Sequence, residues 1–115
     1  MRPYFLTVFA LVLVAGAPAA AFKVDSVPLV ITKVALGCKD LSLYENIEMH
    51  AVAKSVSAYA TLVADGIKSG KCRFWKVGDR VVLKELFQIY ECLAPAGPHE
   101  GCYWTIMNAG EPIDE

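Results

Sequence analysis

Apolar and polar positions change rhythm several times along this chain. Phe5 to Ala15 is apolar apart from Thr7 and is broken by Gly16 and Pro18. Phe22 to Pro28 reads as a short lead-in. Leu29 to Leu36 is apolar and rich in β-branched residues, a composition that fits a pleated, half-buried strand, and Gly37 marks a turn after it. From Leu41 the period becomes helical. Ile47 and Ala51 recur at that spacing, as do Val52, Val56, Tyr59 and Val63, with Glu45, Glu48, Lys54 and Lys68 on the expected solvent side. Ser42-Leu-Tyr-Glu45 matches a capping box, and Asp40 is the alternative cap. Gly70 suits the end of the helical region, where a left-handed residue is cheap for glycine.

Beyond Gly70 the pattern is that of strands. Gly70 to Leu83 reads as a strand, a tight turn at Val77-Gly78-Asp79 and a second strand. Leu86 to Cys92 alternates, with Leu86, Gln88, Tyr90 and Cys92 on one face and Phe87, Ile89 and Glu91 on the other. Pro95 to Gly101 is a turn by composition, and Cys102 to Ile106 is a further strand. Gly110 to Glu115 is expected to fray. These readings predict one α+β domain over residues 22–110 and a short acidic tail at 111–115.

Length and charge narrow the picture. A chain of 115 residues supports one domain. Met1-Arg2-Pro3, the apolar run and Ala19-Ala20-Ala21 have the form of a secretory signal peptide over residues 1–21, with cleavage expected after Ala21. The run is short of the about 20 residues of a membrane-spanning helix, so no span is expected once the signal is removed. The mature chain would carry ten basic and twelve acidic residues, Arg2 having left with the leader. That balance gives no footprint for nucleic acid.

An exported domain of this size with four cysteines is read as a disulfide framework. Cys92 and Cys102 bracket the proline-rich turn, and pairing them leaves Cys38 with Cys72. A continuous helix from Ser42 to Lys68 would be about 40 Å long at 1.5 Å per residue, whereas a disulfide needs Cα atoms within about 7 Å. The Cys38–Cys72 pairing therefore predicts a helical hairpin bent at Ala53 to Ser57, where serine and valine weaken a helix. The alternative is one long helix with Cys38 paired elsewhere.

Some of these features are similar to those of small exported bacterial proteins of uncharacterised function. The features are a leader, a cysteine, a short helical pair, Gly70-Lys-Cys-Arg-Phe74, Val77-Gly-Asp-Arg-Val81, a strand ending near Cys92, a glycine-containing turn and Tyr103-Trp-Thr105. The part after the helices resembles the bacterial variant of the Src-homology-type (SH3-like) β-barrel. The chain departs from that class in its 27 helical residues from Ser42 to Lys68 and in lacking the usual Gly-Trp ending. The chain as a whole is read as a helical hairpin packed on a small antiparallel sheet or barrel of four or five strands, and the resemblance implies that it acts as a binding or structural module. No catalytic residues carry over from it.

Catalytic and metal chemistry find little footing. The two histidines, His50 and His99, match no ligand spacing with Met49 or Met107, and a triad needs three groups brought together. The closest cysteines are ten residues apart, unlike a Cys-x-x-Cys redox pair. Glu45, Glu48 and Asp65 read as solvated helix charges, and Asp79 reads as a turn residue. No enzyme activity, cofactor or metal is expected. The aromatics Trp75, Tyr90, Tyr103 and Trp104 are the candidate partner surface, because adjacent strand residues point to opposite faces and Tyr103 and Trp104 cannot both be core. The expected function is a periplasmic or extracellular binding module for a protein or a cell-wall peptide. A secreted inhibitor or effector acting through the Pro95–Gly101 loop is the alternative.

Overall fold

The computed structural model of the protein describes residues 21–97 and 101–113. Residues 1–20 of the expected leader, His99 and the end of the tail lie outside the described residues. Among the described residues, seven strands and two helices follow one another as β1 (Phe22–Ile31), β2 (Ala35–Cys38), α1 (Leu41–Val52), α2 (Val56–Lys68), β3 (Cys72–Trp75), β4 (Arg80–Phe87), β5 (Tyr90–Pro95), β6 (Tyr103–Ile106) and β7 (Gly110–Pro112). The strands form one sheet in the order β3-β2-β6-β5-β4-β1-β7, with every pairing antiparallel.

The sheet is curled. Trp75 on β3 packs in one cluster with Leu29 and Ile31 of β1, although five strand spacings would separate those strands by roughly 24 Å in a flat sheet. Val81, Leu93 and Ala109 complete this inner cluster. The Ile31 carbonyl accepts from the Gly78 amide at 2.9 Å, joining the end of β1 to the β3–β4 turn. The result is a half-barrel compatible with the Src-homology-type fold. The two helices cover the opposite face through Tyr44, Ile47 and Val63, which pack on Leu36, Cys38, Cys72 and Tyr90.

Both disulfides join the expected partners, Cys38 with Cys72 and Cys92 with Cys102. The helical region bends where expected. α1 ends at Val52, Lys54 takes a left-handed φ of 61°, and α2 begins at Val56. Gly70 follows α2 with φ 79°. Gly66 on α2 lies against the sheet so closely that an added Cβ would sit 2.7 Å from Cys72 Sγ. Helix and disulfide are therefore in direct contact at this glycine.

Several boundaries differ from the sequence reading. Leu29 to Leu36 is not one strand. β1 extends back to Phe22, and the chain leaves it at Thr32, whose amide donates to the Ala109 carbonyl at 2.8 Å, before starting β2 four places away in the sheet. Leu86 to Cys92 is likewise divided, with Gln88 at φ 55° turning β4 into β5. Asp40, not Ser42, caps α1: its Oδ1 accepts from the Ser42 amide at 3.2 Å. Glu111 and Pro112 belong to the sheet, paired with Val30 and Leu29. Seven strands replace the expected four or five because β7 and the separate β1 and β2 add to the core meander.

Candidate functional site

The strand alternation of β6 divides the four candidate aromatics between two faces. Tyr103 faces the inner cluster with Trp75, and Trp104 faces the helical cluster with Tyr90. Trp75 is 1% exposed and Tyr90 8%, so both are core residues and present no ring to solvent. Tyr103 and Trp104 are each half-buried. The two rings that could not both be core point to opposite faces, and neither is fully buried.

Trp104 forms a wall of an open cleft of about 840 Å³ at the start of α1. Lys39, Ser42, Leu43, Asn46 and Lys71 line the rest with Asp40 and Leu41. The disulfide builds this arrangement. Cys38 sits opposite both Cys72 on β3 and Trp104 on β6, and the next backbone contact is the Lys39 amide donating to the Lys71 carbonyl at 2.7 Å. Two exposed lysines are thereby held side by side at the cleft, next to an indole. The Asp40 carboxylate is engaged in capping, accepting also from Ser42 Oγ at 2.9 Å.

On the other face Tyr103 meets the edge of Trp75, with ring centroids 6.0 Å apart and an interplanar angle of 86°. Arg73 stacks over the Trp75 ring at 4.1 Å and lies 5.8 Å from the Tyr103 centroid, and Lys39 Nζ is 5.7 Å from the same ring. Lys39 thus connects the cleft to a stripe of cation–aromatic contacts. Tyr44 ties α1 to β6. β2 and β6 pair only at Cys38 and Trp104, and beyond that point the Tyr44 hydroxyl accepts from the Ile106 amide at 3.2 Å.

Lys39 and Lys71 were absent from the candidate set read from sequence. They directly follow and precede the two paired cysteines, so that pairing was the signal that places them together. Other candidates stand apart from the cleft. Asp79 is a turn residue whose Oδ2 accepts from the Lys76 amide at 2.8 Å. Glu45 and Glu48 are half-buried, not solvated, and the Tyr44 hydroxyl, one turn before Glu48 on the same helix, donates to Glu48 Oε2 at 3.5 Å. Among the described residues no group of three or more His, Cys, Asp or Glu side chains is placed to hold a metal ion. The Pro95–Gly101 loop is described only at its ends.

Glu91 is a buried acid that alternation alone did not single out. It is 9% exposed, opposite buried Thr105, and its Oε1 has no hydrogen-bond partner among the described residues. Burial raises its pKa above the ordinary 4.5, with a backbone hydrogen bond from Asn108 offsetting part of the rise. The folded chain therefore holds this proton more tightly than the unfolded chain. Stability is full below the ordinary value and falls as pH rises through the raised one. Glu91→Gln is expected to remove that fall and to stabilise the protein by roughly 1 kcal/mol at neutral pH, the low end of the cost of an unsatisfied buried group. Urea midpoints measured from acid to neutral pH check this; parallel curves for the two proteins would contradict it.

No helix among the described residues is long and apolar enough to cross a membrane. The two disulfides are compatible with an exported protein. No protein-family model, curated protein or solved structure matches this chain.

Proposed function

We propose that this chain is a non-enzymatic exported binding module, of the kind found in small exported bacterial proteins with a Src-homology-type barrel, and that it holds a protein or cell-wall peptide in the Trp104 cleft. The observation that carries the reading is the pairing of a half-buried indole with Lys39 and Lys71 on a frame closed by the Cys38–Cys72 disulfide. Aromatic side chains on rigid frames dominate the energetics of binding surfaces. The two lysines favour a partner that carries carboxylates, as the stem peptides of bacterial cell walls do.

Capture from an envelope extract, with residues 22–115 immobilised, tests the reading. All described strands, helices and disulfides lie within that span. Trp104→Ala is expected to reduce capture about thirtyfold, the effect of losing an anchor of about 2 kcal/mol, with both disulfides formed and the circular dichroism spectrum unchanged. Tyr103→Ala is expected to reduce it less, since its ring faces the inner cluster. Capture by both variants at the level of the unmodified protein would remove the cleft as the site.

A further inference from the structure

The helical hairpin is anchored to the sheet at only one end. Its buried residues, Tyr44 and Ile47 on α1 and Val63 and Gly66 on α2, all lie toward the open end, next to Cys38 and Cys72. The other end stands clear. Ala51 to Ser57 are exposed without interruption, and the apolar side chains there are among the most exposed described: Val52 at 79%, Val56 at 75% and Met49 at 68%. Burial against the other described residues is therefore not what selects their apolar character.

The composition of this tip is one-sided. From Met49 to Ala64 there is no Asp or Glu, although the chain contains twelve acids, and Lys54 stands at the bend with His50 one turn before it. Exposed aliphatic side chains around a single cation, with Ser55 and Ser57 beside them, are the chemistry of a lipid–water interface, where apolar side chains enter the acyl boundary and basic ones meet anionic headgroups. A second copy of the chain fits less well. Three aliphatic side chains on a narrow tip offer far less than the roughly 800 Å² per partner that a stable protein interface uses, and Lys54 would meet Lys54 across a two-fold axis.

We propose that the tip of the helical hairpin, centred on Val52, Lys54 and Val56, is a membrane-contact element that docks reversibly on an anionic lipid surface. Docking there leaves the Trp104 cleft, at the opposite end of α1, open to a partner. The inference does not depend on what the cleft binds.

The test is co-sedimentation of oxidised residues 22–115 with vesicles of phosphatidylcholine and phosphatidylglycerol, and with vesicles of phosphatidylcholine alone. Binding is expected to the first kind, to weaken as salt is raised, and to be weaker on the second. The double change Val52→Glu with Val56→Glu is expected to reduce binding at least about tenfold, because it removes apolar contact and adds two charges repelled by the lipid. Lys54→Glu should reduce it about fivefold or more. These side chains are exposed, so unchanged urea midpoints are expected and confirm that folding is not the cause. Trp104→Ala should bind vesicles normally, which separates this proposal from the cleft. Failure of the unmodified protein to bind anionic vesicles, or equal binding by the double variant, would overturn it. So would a concentration-dependent dimer, seen by sedimentation equilibrium, that the double variant abolishes.

Discussion

Replacing Cys38 and Cys72 together by alanine is expected to lower the unfolding free energy by about 4 kcal/mol, on the loop-entropy relation for a bridge of this span. The bridge closes 34 residues of sequence separation, and both cysteines are buried in the core between helices and sheet. Everything in that loop is the helical hairpin, which reaches the sheet through few buried residues: Tyr44, Ile47, Val63 and Gly66. Without the bridge the unfolded chain gains the freedom to separate β2 from β3, while in the folded chain the root of the hairpin is still held by the β2–β3 pairing and the Lys39–Lys71 hydrogen bond. The Cys92–Cys102 bridge spans a separation of only 10, and the same relation gives about 3 kcal/mol for the corresponding double alanine variant. Total stabilities of small domains are about 5–15 kcal/mol, so each loss is a large share. Urea unfolding of the two variants against the unmodified protein measures both. A smaller loss for the longer loop would show that native packing, not unfolded-chain entropy, governs the Cys38–Cys72 contribution. The first variant should also lose capture by the cleft, because Cys38 positions Trp104 and Lys39.

Trp75→Ala is expected to cost about 4 kcal/mol, within the range for truncating a buried aromatic in a well-packed core. Trp75 is the largest fully buried side chain among the described residues. It comes from the edge strand β3 and reaches Leu29, Ile31 and Val81 across the curl. Its removal leaves a cavity at the point where the two sides of the half-barrel meet, and it deprives Arg73 and Tyr103 of the ring they pack on. The cost includes both lost transfer energy and the void that the sheet cannot close. Trp75→Phe keeps part of the contact and should lose less than half as much. Trp104→Ala, a truncation of a half-buried ring, should also lose less than half as much. Urea midpoints for the three variants rank them, and near-ultraviolet circular dichroism reports the loss of the packed indole. A Trp104→Ala loss equal to that of Trp75→Ala would make Trp104 a core residue and weaken its reading as a binding wall.

The contrast between these two tryptophans shows where sequence reasoning succeeded and where it stopped. Both were legible as strand aromatics, and the opposition of Tyr103 and Trp104 follows from the two-residue period of a strand. Which face of the sheet would be closed by its own curl, and which by helices, is a long-range matter. Trp75 becomes core only because β1 and β3, at sequence positions far apart, are brought together on the inside of the curl. Gln88 went unnoticed for a different reason. It carries φ 55° without the glycine or asparagine that usually announces such a turn. The continuous alternation from Leu86 to Cys92 therefore reads as one strand when it is two. The break after Ile31 was hidden in the same way, since Thr32-Lys33-Val34 contains no glycine or proline and continues a β-branched run.

What the sequence by itself determined is local or covalent: two amphipathic helices with a weak point between them, their cap and terminator positions within a residue or two, the glycine turn at Gly78, and a disulfide pairing, read from the cysteines that bracket the Pro95–Gly101 turn, that requires the helices to fold back. Tertiary structure alone decided the order of strands in the sheet, the curl that buries Trp75, the burial of Glu91, and the neighbourhood of Lys39, Lys71 and Trp104. Periodicity and stereochemistry act over a few residues and are written in those residues. Strand order and enclosure depend on which distant segments exclude water from one another, and no single stretch of the chain contains that information.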